Sequence, residues 1–363
     1  MPVTKKGNRY LMLDTVHAEQ GYSPRRQGRG AILAAGLAAL ALVAGACAGG
    51  GTGTGGDGTP AADPGSADAI TSVTAQTQTC PSGTPGAGKP EVRVGSKNFA
   101  EQFLLGELYA QALRSRGYTI DYRSNIGGSE VIDRAFQAGE IAMYPEYLGE
   151  IETSIADFDR AANSPEETFS RANQFEQAQR NATILPQTPF QNTDVLIVKP
   201  DFAQQHGLTT VRDLSKVGPQ GEGVTLAAQP PFETRFNGLV GMKEVYGLTA
   251  VKFNGVDVGL TYQALDEGDV NVADAFSTDG QLTTGNYVAL DDPENIFGFQ
   301  HVAPVIKQPV LQEQGTEFAD TLNCVSTLLT TEAMRALNAE IQLNGRQPAE
   351  VAEKFLTANR ILQ

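Results

Sequence analysis

The sequence predicts an α/β fold of two lobes joined by two crossing strands, a clamshell, and three observations carry that reading. Short apolar segments alternate with amphipathic ones from residue 90 onward, as strands and helices joined by short turns do. A second set of the same kind begins near residue 193, and a strand-like "VAPVIK" near residue 305 leads into a C-terminal stretch that is helical by periodicity. Two segments from different sets, "AFQAGEIAMYPEYLG" and "ALDEGDVNVADAFSTDG", also share one plan: a helix, a glycine followed by an acid, then an apolar strand ending in an aromatic.

The elements follow in order. Val92 and Val94 alternate as a first strand. Asn98 and Glu101 have the spacing of a capping box, and Phe99, Phe103, Leu108 and Ala112 recur at helical intervals until Gly117. "YTIDYRS" is the next strand, "GGSEVIDRAFQAG" a capped helix ending at Gly139, and "IAMY" a strand. In the second set "TDVLIVKP", "VTLAAQ", "VKFNGV" and "VNVADAF" are strands, and "VRDLSKV", "ETRFNGLVGMKEVYG" and "LTYQALDEG" are helices. Strands separated by helices are expected to lie largely parallel. "TDVLIV" and "VAPVIK" are the expected crossings, which places lobe 1 at residues 90–192 with 306–363 and lobe 2 at 193–305.

The bulk numbers agree with two lobes and exclude several partners. A chain of 363 residues, 40% hydrophobic, exceeds one ordinary core. Beyond residue 47 it holds 21 basic and 40 acidic residues, which argues against nucleic acid or an anionic membrane surface as the main partner. Arg25, Arg26 and Arg29 precede the apolar run "AILAAGLAALALVAGAC", an export signal over residues 1–47; a start at Met12 would shorten its long leading region. "AGAC" ends in Cys47 and resembles a bacterial lipobox, with Ala44 in place of the usual leucine; the expectation is lipidation of Cys47, with plain signal cleavage as the alternative. Residues 48–89, rich in Gly, Thr, Pro, Ala and Ser, are expected to be a flexible tether. In an exported chain Cys80 and Cys324 are expected to form a disulfide, two buried thiols being the alternative.

No catalytic or metal-binding pattern is legible. His17, His206 and His301 stand apart and read as ordinary loop or surface residues; neither a phosphate-binding glycine loop nor a nucleophile elbow occurs, and no cofactor or metal is expected. What remains is charge and aromaticity at the ends of elements. In "MYPEYLGE", Tyr144 and Tyr147 sit beside two glutamates, as the lining of a cleft for a small cationic or zwitterionic solute would. Tyr147 lies eight steps after Gly139 and Phe276 eight steps after Gly268, so two facing lobes would present both rings across one cleft. Lys97 and Arg235, one per lobe at strand-to-helix switches, are expected to clamp an anion, and Arg235 offers the planar fork that suits a carboxylate.

At these residues the chain resembles a family. "GSKNFAEQ", "GGSEVIDRAFQAGEIAMYPEYLG", "FETRFNGLVGMKEVYG" and "DVNVADAFSTDG" are similar, in order over roughly residues 90 to 360, to the substrate-binding proteins of osmoprotectant ABC importers. The resemblance implies the type II periplasmic-binding-protein clamshell and a tyrosine cage around a quaternary ammonium, with basic groups on the carboxylate. It matches Lys97 and Arg235 to the carboxylate-binding positions, Tyr147 to a cage tyrosine and Phe276 to another that has lost its hydroxyl. Three positions depart. Glu150 stands where the family often has threonine, Asp194 where it has a cage tyrosine, and Gln300 where another tyrosine falls, with Phe297 and Phe299 close by. Acceptors at 194 and 300 favour a ligand that donates hydrogen bonds. Glu150 would oppose a ligand carboxylate unless it pairs with Lys97 or Arg235.

The implied function is an extracytoplasmic receptor, a monomer, that binds a small quaternary-ammonium or other cationic or zwitterionic compatible solute between its lobes and delivers it to a permease driven by an ATPase. Its expected place is the outer face of the cytoplasmic membrane, through a lipid anchor, or the periplasm. An enzyme on the same clamshell would need a nucleophile–base pair or a cofactor, and neither is read here. A sensory module would normally carry a transducing helix and a cytoplasmic domain. The alternatives are a binding protein of the same fold with shifted specificity, for a polyhydroxylated or primary-amine ligand, and a sensory or regulatory ligand-binding protein that reuses the fold.

Overall fold

Val92 and Val94, two residues apart, bury their side chains in one core, and the first half of the molecule is built outward from their strand. The computed structural model describes residues 80–156, 158, 162–257 and 259–362. The expected signal (1–47), Cys47 and residues 48–79 of the expected tether over 48–89 lie outside the described residues. Strand β1 (Val92–Gly95) is followed by α1 (Ala100–Ser115), β2 (Ile120–Arg123), α2 (Ser129–Gln137), β3 (Met143–Tyr147), α3 (Leu148–Glu150), which widens into a turn at Ile151–Ile155, α4 (Pro165–Arg180) and β4 (Ala182–Ile184). Helix α4 went unread in the sequence although its start signals are there. Ser164 accepts a hydrogen bond from the Glu167 amide at 3.2 Å, and Pro165 occupies the first turn.

The second half contains β5 (Asp194–Val198), α5 (Pro200–His206), β6 (Thr225–Ala228), α6 (Gly241–Tyr246), β7 (Lys252–Gly255), α7 (Thr261–Glu267), β8 (Val272–Phe276) and β9 (Val288–Leu290). The chain then returns as β10 (Val302–Lys307) and closes with α8 (Gln308–Gln314), α9 (Thr316–Leu328), α10 (Thr331–Gln342) and α11 (Pro348–Ala358). Two five-stranded sheets result, ordered β2-β1-β3-β10-β4 and β7-β6-β8-β5-β9. In each, four strands run in one direction, while β10 and β5 run antiparallel to both their neighbours. The mixed direction has a simple origin: β5 and β10 are entered from the other sheet rather than through a helical crossover. The chain passes between the sheets just before each of them, so the crossings precede the expected "TDVLIV" and "VAPVIK", and Val302–Val305 belong to the first sheet rather than to lobe 2. There Gln191 and His301 form an isolated antiparallel bridge and the Asn192 amide donates to the Gln300 carbonyl at 3.0 Å.

Each sheet is covered on both faces. In the first, Val92, Val94 and Met143 pack against α1, α9, α10 and α11, and Tyr144, Ala303 and Val305 pack against α2, α3 and α4. In the second, Leu196, Leu226 and Val272 meet Phe232, Met242 and Phe297, and Ile197, Ala227 and Ala273 meet α7. The two matched segments take equivalent places, since β3 and β8 are each the third strand in sheet order. Gly139 and Gly268, which precede them, both adopt the left-handed conformation, at φ 72° and 79°, that ends a helix at no steric cost.

Four local expectations are corrected. The Asn98–Glu101 capping box does not form: Phe99 is the N-cap of α1 without a side-chain bond, because the Glu101 carboxylate turns inward. Helix α2 likewise has Gly128 at its N-cap, and the Ser129 hydroxyl is engaged elsewhere. The helix expected over "ETRFNGLVGMKEVYG" is broken into a 3₁₀ turn at Pro230–Glu233, an irregular turn at Phe236–Val240 and α6. Gly238 there packs so closely that a Cβ would stand 2.3 Å from the Phe232 carbonyl oxygen. Finally, residues 80–89, expected to belong to the tether, are described and tied to the fold. The Gly86 amide donates to the Arg116 carbonyl at 3.0 Å, and a disulfide joins Cys80 to Cys324 on α9 with Cα atoms 5.5 Å apart.

Candidate functional site

Lys97 leaves the carboxyl end of β1 and is buried. Its ammonium forms an ion pair with Glu146, donates to Ser129 Oγ at 3.0 Å and lies 5.1 Å from the centre of the Tyr147 ring. Glu146 has no exposed surface. One of its oxygens takes Lys97 and the Tyr147 amide, at 2.7 Å, and the other has no partner. Burial pushes this carboxyl up to about 7, against the pull of Lys97 and with a further push from Glu150. Glu146 is a site residue beyond those expected, and its place in "YPEY" is the signal for it. Lys97 therefore already faces a carboxylate. Glu150 pairs with neither expected cation: Ser129 and Ser154 donate to its Oε2 at 2.8 and 2.9 Å, so Ser129 links it to Lys97.

The two tyrosines of "MYPEYLGE" have different fates, because successive strand residues face opposite ways. Tyr144 is core, edge-on to Phe136 at 5.1 Å, and lines no cleft. Tyr147 is only 4% exposed and stacks at 6.0 Å on Phe99, which is 39% exposed. Phe99 is thus the open ring on this side; its place two residues after Lys97 was the available signal. Gln300 approaches from the crossing segment and lies against Gly149, where a Cβ would stand 2.7 Å from its amide carbon. A side chain at 149 would push aside that amide, whose oxygen is without a partner.

On the second sheet Asp194 pairs directly with Phe276, and Leu196 with Asp274, so Asp194, Asp274 and Phe276 share one face. Phe276 is 39% exposed, and Phe236, unread in the sequence, is 52% exposed beside Arg235. The Arg235 guanidinium lies 4.0 Å from Asp194. Burial raises the Asp194 carboxyl to about 6, opposed by Arg235 and reinforced by the negative charge of Glu150 from the first lobe. Asp274 is raised well above the usual carboxylate range by burial and then by Asp194. Four carboxyl groups, Glu146, Glu150, Asp194 and Asp274, thus act on one another with two cations among them. His301 is no catalytic group: its Nδ1 lies 3.0 Å from the carbonyl oxygens of Thr188 and Phe190, bracing the crossing. His206 packs on Phe202.

Residues 90–358 match the family described as the substrate-binding domain of ABC-type glycine betaine transport systems. The chain belongs to this family. It is 30% identical over 279 residues to a glycine-betaine-binding protein of Pseudomonas aeruginosa, covering 75% of this chain and 88% of that one. It is 29% identical over 273 residues to the glycine betaine-binding protein YehZ of Escherichia coli, covering 73% and 89%. A solved glycine betaine/carnitine/choline ABC transporter structure superposes with a TM-score of 0.68 over 75% of this chain and 100% of that one; at 24% identity this speaks for the fold alone. The two-lobed type II clamshell and the role of a transport binding protein, not an enzyme, follow for this member of the substrate-binding family.

Proposed function

We propose that this family member is an extracytoplasmic receptor that closes its lobes on a small organic cation or zwitterion and delivers it to an ABC permease and its ATPase. The cationic end of the ligand carries hydrogen-bond donors. The observation that carries this reading is the balance of charge: Glu146, Glu150, Asp194 and Asp274 against Lys97 and Arg235, each cation already facing an acid. A quaternary ammonium has no N–H to offer acceptors such as Asp194 and Gln300, so glycine betaine is the weaker ligand. Lys97, Tyr147 and Glu150 from one lobe, Asp194, Arg235 and Phe276 from the other, and Gln300 at the crossing are the proposed contacts. Tyr147 contributes through Phe99, stacked on it. The rings supply the apolar and cation–π surface.

Thermal shift followed by calorimetry tests this with glycine betaine, carnitine, choline, polyamines, amino acids and sugars. A donor-bearing cation is expected to raise the melting temperature most, and Asp194→Asn to weaken it about tenfold. Tight glycine betaine binding that Asp194→Asn leaves unchanged overturns the ligand class. The same reading includes a monomer anchored through lipid on Cys47, for which mass spectrometry of the mature N-terminus is the test.

A further inference from the structure

Glu101, in the first turn of α1, is buried and belongs to none of the contacts proposed above. Its carboxylate accepts four hydrogen bonds. Tyr147 Oη and Asn192 Nδ2 donate to Oε1 at 2.7 and 2.9 Å, and Thr278 Oγ1 and Asn338 Nδ2 donate to Oε2 at 2.6 and 2.7 Å. All lone-pair directions of the carboxylate are filled by neutral donors, and among the described residues no Lys, Arg or His lies within ion-pair distance. The N-terminal amides of α1 favour the negative charge from behind.

The four donors come from four separate places: the end of β3, the crossing segment, the chain just after β8, and α10. Thr278 follows Phe276 by two residues, on the lobe-2 sheet. From Ser277 to Thr284 this chain is docked on α10 of the first lobe. Arg335 Nε donates to the Ser277 carbonyl at 2.7 Å, the Gly280 amide donates to Gln342 Oε1 at 2.7 Å, and Asn338 Nδ2 donates to the Thr278 carbonyl at 2.9 Å. At Gly280 a Cβ would stand 2.5 Å from the Ala339 Cα, so the backbones touch. Ser277 also donates to the Gln191 carbonyl at 3.0 Å and accepts from the Thr193 amide at 3.1 Å, which ties the dock to the crossing. The lobes are therefore connected at a third place besides the two crossing segments.

We infer that Glu101 is the positioning residue of this third connection, fixing the angle between the lobes and coupling it to the Tyr147 ring. One carboxylate holds the hydroxyl of the ring and the hydroxyl that follows β8. A rotation of lobe 2 that moves Thr278 must break a bond to Glu101 or drag Tyr147, and with Tyr147 the stacked Phe99. A displacement of the ring pair by a solute is transmitted the other way. The inference shares with the proposed function the closure of two lobes and the Tyr147–Phe99 ring pair, but its test uses no solute, so the two fail separately.

The experiment is a distance distribution between spin labels introduced as unnatural amino acids at Gln137 and Glu244, both exposed and one on each lobe, in solute-free protein. Glu101→Gln keeps the shape but turns an amide NH₂ toward two of the four donors. Thr278→Val removes only the lobe-2 bond. Both are expected to broaden the distribution at least twofold relative to the unsubstituted protein. Tyr109→Phe, which deletes a buried bond to Ser326 at 2.9 Å within lobe 1, is expected to lower the melting temperature and leave the distribution unchanged. Should Glu101→Gln fail to fold, Thr278→Val decides alone. Distributions for Glu101→Gln and Thr278→Val that coincide with the unsubstituted one overturn the inference and leave Glu101 a brace of the lobe-1 core.

Discussion

Lys97 and Glu146 form an ion pair with 4% and 0% of their side chains exposed, at the carboxyl ends of neighbouring strands. A buried pair of this kind contributes little net stability, but removing one partner strands the other charge in a poor solvent. Lys97→Met is expected to cost roughly 3 kcal/mol at pH 8, where Glu146 must either stay ionised without its partner or take up a proton from a solution that holds few. The cost should shrink near pH 5. Glu146, already raised to about 7 with Lys97 present, simply takes a proton there once the ammonium is gone. Urea unfolding at the two pH values measures this; equal losses would show that the pair is not what Lys97 supports.

Glu176 on α4 gives a second pH signature. It is fully buried, both oxygens lack partners, and burial raises it to about 8, with Asp133 adding to the push and Arg180 opposing it. A carboxyl raised on folding binds more protons in the native state than in the unfolded one between its ordinary value and about 8. Stability is therefore greatest on the acid side of that window and falls as pH climbs through it. Glu146, raised to about 7, acts in the same sense. The melting temperature is expected to drop between pH 5.5 and 8.5, and Glu176→Gln to flatten the slope and raise stability at pH 8.5. A slope unchanged by Glu176→Gln would assign the effect to other groups.

What could be read from the sequence divides along physical lines. Strand alternation at Val92 and Val94, and the left-handed stops at Gly139 and Gly268, are local, so most strands and helices and the matched places of β3 and β8 were legible, while β4, α4, α5 and β9 were not. Side-chain destinations were not. The spacing of Asn98 and Glu101 reads as a cap, yet Glu101 is drawn inward by Tyr147, Asn192, Thr278 and Asn338, whose positions in the chain run from 147 to 338. Tyr144 and Tyr147 look equivalent until the pleat sends one into the core and the other onto Phe99. The pairing of Lys97 with Glu146 rests on the same kind of distant meeting, which no single window of sequence contains.

The disulfide closes a loop of sequence separation 244, between the first described residue and α9. It stands beside the core that Phe318, Leu322 and Val325 form against α1. Constraining the unfolded chain over so long a loop is worth about 2–4 kcal/mol. Cys80→Ser with Cys324→Ala is expected to lower the urea midpoint accordingly and to speed amide exchange of residues 80–89, while exchange in β6 and β8 stays as before. Loss of protection throughout the second sheet would mean that the bond supports more than its own lobe.

Asp194 stands directly across the sheet from Phe276 and 4.0 Å from Arg235. An aromatic ring in its place would face the Phe276 ring, remove one of the two acids that Arg235 answers, and leave the guanidinium free for a ligand carboxylate. Asp194→Tyr is therefore expected to strengthen glycine betaine binding about tenfold, as one added cation–π contact would, and to weaken donor-bearing cations. It should also bring Asp274 down toward the ordinary carboxylate range, since Asp194 is the second cause of its elevation after burial. Calorimetry gives the first result and carbon-detected carboxyl titration the second. If the Asp274 titration shifts and betaine affinity does not, position 194 sets the electrostatics of the second lobe without touching the solute.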